Sequence, residues 1–240
     1  INKTGTVNAQ PACGYDLNLK KDLLFFVSNR PGGHGGFDIW YCSVERDGSF
    51  GEPVNLPFNS SSDDMSPHFW AQKQILFFSS TMPGGQGGYD VYFSEKNAAG
   101  QWLPPINLEQ ANTAFDELYY SYNQLSNTSY LCSNRPNATC GNLATGCSDF
   151  SVFSGKLGAC LSVDIRSALD SSAVYGCNIE IEDVQTKLTE QYVLLSEDST
   201  LHFTILPNKK YRLIVSRRRF YPVFVELDSI NADFFRPIKK

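Results

Sequence analysis

The sequence has no apolar run of 18 or more residues; its longest apolar stretches, such as Leu23 to Val27, are the length of a strand. A bilayer-spanning helix needs about 20 predominantly apolar residues, so none is expected here. Positive charge is also scarce, with 20 Lys and Arg against 25 Asp and Glu and a net charge of −5. That balance excludes a general electrostatic attraction to nucleic acid or to an anionic membrane. None of the cysteine spacings is the CxxC pair of a zinc site. No GxSxG elbow, HExxH pair, Walker loop or GxGxxG loop occurs, and no stretch carries helical periodicity. The chain begins at Ile1 with the polar text INKTGTVNAQ, which has neither part of a secretory signal, so it is expected to be a fragment of something longer.

What is present bounds the answer from the other side. With 240 residues, 42% of them apolar and 13% aromatic, the chain can bury a sizeable core in one or two domains and is not a disordered tail. Seven cysteines (Cys13, Cys42, Cys132, Cys140, Cys147, Cys160 and Cys177) are many for a cytosolic protein of this size and predict export into an oxidising compartment.

An internal repeat organises the first two thirds. LLFFVSNRPGGHGGFDIWYCS, from Leu23, lies over ILFFSSTMPGGQGGYDVYFSE, from Ile75, at an offset of 52 residues that superposes Gly32, Gly33, Gly35, Gly36 and Asp38 on Gly84, Gly85, Gly87, Gly88 and Asp90. The flanks agree, with GSFGEPVNL from Gly48 matching GQWLPPINL from Gly100, and Asp63-Asp64 matching Asp116-Glu117 one residue out of step. A weaker third copy follows Glu117, where YLCSNRP repeats FVSNRP and NATCGNLATGC replaces the glycine loop before Asp149, expected in the place of Asp38 and Asp90. Each copy reads as four short strands, punctuated by Gly, Pro, Asn and Asp. Four antiparallel strands in a repeat of this length predict a β-propeller blade.

These residues resemble a known family. The text SSxRPGGxGGxDIY, followed by W/F-x-x-P-V-N-L and an acidic turn, resembles the WD-type propeller repeats of OmpA-family outer-membrane lipoproteins of Bacteroidetes, themselves similar to the propeller of the Tol system's periplasmic component. The resemblance covers roughly Gly14 to Gly158. Propellers close with about 4–8 blades, so three copies imply missing blades, a degenerate blade or a partial chain.

Glycine stops at Gly176 and the aromatic-glycine loops vanish after Gly158. From Cys160 the texts LSVDIRSA, CNIEIED, TEQYVLL, LHFTIL, YRLIVSRR and YPVFVELD alternate like strands and predict a small β-sandwich. LHFTILPNKKYRLIVSRRRFYPVFVELD resembles carboxypeptidase-regulatory-like domains. The expected organisation is all-β, with propeller blades over residues 1–157 and a sandwich over 158–240.

Residues that could carry chemistry read mostly as structure. His34 of the first glycine loop is Gln86 in the second, as a loop filler would be, and His68 and His202 have no partner at metal-ligand spacing. Strands, not helices, follow the glycine loops, which removes the phosphate-cradle reading. Asp38 and Asp90 are expected to accept backbone N–H bonds across their loops, with calcium binding as the lesser alternative. Arg30 and Arg135, in the recurring Ser-Asn-Arg, predict ion pairs with a loop Asp, and the acidic pairs predict solvated turns. Cys140 with Cys147 and Cys160 with Cys177 are the candidate disulfides, Cys42 and Cys132 read as small buried hydrophobes, and Arg217-Arg218-Arg219 reads as a charged hairpin edge.

No residue is expected to be catalytic, to ligate a metal or to bind a cofactor. The domain order is similar to the middle of PorE-like proteins of the type IX secretion machinery. That resemblance implies a periplasmic, outer-membrane-associated scaffold whose partners are other envelope or secretion proteins, with peptidoglycan held only by a domain not in this chain. The alternative is a cell-surface propeller that binds glycan or peptide, with Trp40, Tyr92 and Trp102 as stacking surfaces.

Overall fold

The computed structural model describes residues 1–136, 151–155, 157, 159–163, 165–195, 201–206, 209–228 and 236–237. All regular structure among them is β, in antiparallel sheets. No helix there is long and apolar enough to cross a membrane.

The chain divides into two compact units, one of Ile1–Lys156 with Phe234–Lys240 and one of Leu157–Asp233. In the first, the repeat becomes a repeated sheet. Strands β1 (Asn8–Asp16), β2 (Lys21–Ser28), β3 (Asp38–Val44) and β4 (Val54–Asn55) pair in chain order, as do β5 (Asp64–Trp70), β6 (Ile75–Ser80), β7 (Asp90–Glu95) and β8 (Ile106–Asn107). The third sheet takes β9 (Glu117–Asn123), β10 (Thr128–Ser133) and β11 (Ser151–Gly155) from the third copy.

Burial follows from stacking. In the middle sheet every residue of β6 and β7 is buried, because one face meets the first sheet and the other meets the third. Leu76, Phe78 and Tyr92 join Phe25, Val27 and Ile39 in one core, where the Phe25 and Phe69 rings lie 4.9 Å apart. On the opposite face Phe77 packs on Tyr120 at 4.6 Å and Trp70 on Tyr122 at 4.4 Å. Each such ring removed from water contributes roughly 1.5–3 kcal/mol. A buried Lys96–Asp16 ion pair, with the ammonium also 4.9 Å from the Trp102 ring centre, ties the second sheet to the first.

Each first strand carries a β-bulge with a non-glycine residue at positive φ: Gln10 at 51°, Ser66 at 54° and Tyr119 at 54°. Gln10 links all three, accepting from the Ser66 amide at 2.7 Å and donating to the Tyr119 hydroxyl at 3.1 Å.

The second unit holds β12 (Ala159–Val163), β13 (Cys177–Asp183), β14 (Thr189–Leu194), β15 (Leu201–Ile205), β16 (Tyr211–Ser216) and β17 (Val223–Leu227). β12 pairs with β15, and the other four form a sheet ordered β14-β13-β16-β17. Both sheets feed one core of Ile179, Ile181, Phe203, Ile205, Tyr211 and Leu213. Lys209, 1% exposed, donates to Asp183 at 2.5 Å, while the other Asp183 oxygen accepts from the amides of Gln185 and Thr186.

The expected continuous second domain, 158–240, needs correction at its end. A last strand, β18 (Arg236–Pro237), pairs with β11 in the first unit. Its register, Phe153 opposite Pro237 and Ser154 opposite Arg236, reproduces Tyr92 opposite Asn107 and Phe93 opposite Ile106. The third sheet therefore obtains its fourth strand from beyond the second unit, which is inserted between β11 and β18. Proline is tolerated there because an edge strand leaves one side of its backbone unpaired.

Candidate functional site

The recurring glycine loops and acidic turns form one device, a latch between consecutive sheets. Gly32 and Gly84 both sit at φ +98°, which glycine adopts without steric cost. A Cβ on Gly33 or Gly85 would collide with the carboxylate of Asp38 or Asp90, and one on Gly35 or Gly87 with the backbone oxygen of Ser62 or Phe115. On Gly36 or Gly88 it would strike Asp63 or Asp116. Asp38 accepts the amides of His34 at 2.7 Å and Gly35 at 3.0 Å, and Asp90 those of Gln86 at 2.9 Å and Gly87 at 3.1 Å. Burial raises the Asp90 pKa.

The loop then grips the next repeat. The Phe37 amide donates to Asp63 and the Tyr89 amide to Asp116, each at 2.9 Å. Asn59 and Asn112 clamp the third strand by accepting from the amides of Ile39 and Val91 and donating to the carbonyls of the same two residues. Sequence reasoning missed both asparagines, although their 53-residue spacing is that of Asp63 and Asp116.

The acidic pairs are not solvated turns. Asp64 and Glu117 are fully buried, held by the Ser60 amide at 2.6 Å and the Thr113 amide at 2.9 Å. Burial raises the pKa of both carboxyls. Glu117 has a cation, Arg135, at 2.9 Å. Among the described residues Asp64, opposite Ser80, has no arginine, because Met82 stands where the other copies have Arg30 and Arg135. Arg30 makes no ion pair among the described residues: it donates to Asn8 and to the Ile1 carbonyl at 2.8 Å each and lies 4.7 Å from the Phe26 ring centre. The reason is local, since Asn8 occupies the place of Glu117 in the first sheet.

Asp149, Cys140 and Cys147 lie outside the described residues. The ladder puts Ser151 opposite Ser133, as Asp38 is opposite Ser28 and Asp90 opposite Ser80, so the register position expected for Asp149 belongs to Ser151. Cys177 is a buried free thiol 3.8 Å from the Val174 carbonyl, and the side chain of Cys160, its expected partner, lies outside those described. Cys42 is buried, and its desolvated thiol has a raised pKa. His34 is exposed, whereas His68 accepts from the Tyr122 amide at 3.2 Å and burial lowers its pKa. Among the described residues no group of three His, Cys, Asp or Glu could hold a metal ion.

A surface opens on the outer face of the first sheet. A cavity of about 390 Å³ is floored by Leu24 and Phe26 and rimmed by Ile1, Pro11 and Phe50. Leu24 and Phe26 correspond to Leu76 and Phe78, which in the second sheet pack against the first. The cavity thus lies on a face built for packing against protein. No protein-family model matches the chain, and no curated protein matches it.

Proposed function

We propose that this chain is a non-catalytic protein-interaction scaffold module of an outer-membrane-associated periplasmic protein, of the PorE-like kind that serves type IX secretion. In this reading the three repeat sheets are successive blades of an incomplete WD-type β-propeller, and the second unit is a carboxypeptidase-regulatory-like β-sandwich. The observation that carries the scaffold reading is the apolar cavity over Leu24 and Phe26, whose equivalents Leu76 and Phe78 pack against a neighbouring sheet. It is supported by the latch, in which Asp38, Asp63, Asp90 and Asp116 are spent on backbone amides that join sheets. The location and the secretion role rest on the repeat text and the domain order.

The glycan-stacking alternative draws little support from its aromatics. Trp40 and Tyr92 are buried, and Trp102 is packed edge-on against Phe25, Phe58 and Phe69. The test is a photo-crosslinking residue in place of Phe50, on the cavity rim, in the native protein within its cell envelope. Adducts with secretion or other envelope proteins are expected. Glycan binding without protein adducts would overturn the scaffold reading.

A further inference from the structure

An exposed apolar surface lies on the second unit. β17 is an edge strand, paired among the described residues with β16 alone. Val223 and Val225 face the same way as their partners Val215 and Leu213, yet Val225 is 39% exposed where Leu213 is 6% exposed, so on β17 the core keeps Leu227 and leaves the two valines uncovered. On the other face Phe224 is 62% exposed, and in the preceding turn Tyr221 is 97% exposed. Edge strands are normally guarded by charge along their length, but here the one charged residue, Glu226, stands near the far end and the strand opens with Val-Phe-Val.

The charge sits in the turn instead. Arg217, Arg218 and Arg219 are exposed, and among the described residues none of them forms an ion pair. The other cations on this sheet are matched: Lys210 with Asp228, Arg212 with Glu182 and Glu226, and Lys187 with Glu182. The unmatched charge is therefore a cluster of guanidinium groups at one end of an open, apolar strand edge, and guanidinium pairs well with carboxylate.

We propose that β17 and the Arg217–Arg219 turn dock an extended, acidic-apolar segment of a partner protein. The segment adds antiparallel beside β17 as a fifth strand, with its carboxylates on the arginines and its apolar side chains on Phe224, Val223 and Val225. The proposal rests on the scaffold reading and gives it one surface and one partner chemistry.

The test uses the full chain and a fluorescein-labelled Val-Thr-Val-Thr-Val-Glu-Asp-Glu peptide, read by fluorescence anisotropy. Saturable binding is expected, weakened about tenfold by the triple charge reversal R217E/R218E/R219E. Phe224→Ser, at an exposed site, weakens it independently, and unchanged circular dichroism shows that each variant folds. N-methylation of alternate peptide amides abolishes binding if strand addition is the mode. Equal binding of a peptide with Lys in place of its acids overturns the proposal, as does no saturable binding. So does arginine-dependent cosedimentation with phosphatidylglycerol vesicles in place of peptide binding. None of these results touches the crosslinking outcome at Phe50, so the two readings fail separately.

Discussion

The amide of Phe37 donates to the carboxylate of Asp63 at 2.9 Å, from the loop of one repeat sheet to the turn that opens the next. The Phe37 carbonyl accepts the Asp64 amide at 2.7 Å, and Tyr89 repeats the arrangement with Asp116 and Glu117. A backbone pair held on both of its polar groups fixes the spacing of two sheets with few contacts.

Removing one side of that pair leaves a half-buried amide without an acceptor. Asp63→Ala is expected to lose about 1–3 kcal/mol of stability. Asp63→Asn keeps an acceptor oxygen and loses less. Urea unfolding of both variants measures the difference, and equal losses would show that the carboxylate acts otherwise than by accepting the Phe37 amide.

Glycines in the two kinds of loop respond differently to a methyl group. Gly48 lies at φ +83° with nothing near its Cβ position, so Gly48→Ala costs about 1 kcal/mol of backbone strain alone. Gly35→Ala drives a methyl into the Ser62 carbonyl of the neighbouring repeat, where only backbone movement relieves it. A loss of about 3 kcal/mol is expected. Thermal unfolding of the two variants side by side reads the contrast.

Asp64 gives the fold a pH dependence of definite sign. Its carboxyl is desolvated by burial and has no cation partner among the described residues, so its folded pKa stands above the unfolded one and the folded state holds the proton more tightly. Stability therefore falls as pH rises from the ordinary aspartate range to the raised folded pKa, and stays lower above it. Asp64→Asn retains an acceptor for Ser60 and removes the charge, so it is expected to equal or exceed the parent at neutral pH and to remove this fall. Denaturation at several pH values decides it. A variant less stable than the parent at neutral pH would mean that the hydrogen bonds outweigh the desolvation.

The repeat was legible because glycines answering to backbone collisions leave the same text wherever the collision recurs, as at Gly35 and Gly87. Strand positions were legible for a related reason: apolar and β-branched runs are short and bounded by turn residues. Burial of Asp64 and Glu117 was not legible, since adjacent acids read as a solvated turn until the amides that receive them are seen. Nor was the place of Ser151 opposite Ser133, because a lengthened loop hides where the ladder resumes. The partner of Arg30 depended on Asn8, which only the strand register brings to it. The cavity over Leu24 and Phe26 was not legible either, since the run Leu23 to Val27 reads only as a strand.

The return of β18 was hidden by its brevity, two paired residues with no alternation to read. Its register match to β8 makes a demanding prediction. If the second unit is an insertion between two strands of one sheet, replacing residues 157–233 by a short Gly-Ser linker should leave the first unit folded and the Phe153–Pro237 pairing intact. Deleting residues 234–240 instead should expose the edge of β11, and amide exchange at residues 153 and 154 should accelerate while exchange in β6 stays slow, because that strand is buried on both faces. Hydrogen exchange by mass spectrometry on both variants distinguishes the cases. Unchanged exchange at 153 and 154 after the deletion would mean that β11 holds its place without a fourth strand, and the insertion reading would lose its energetic basis.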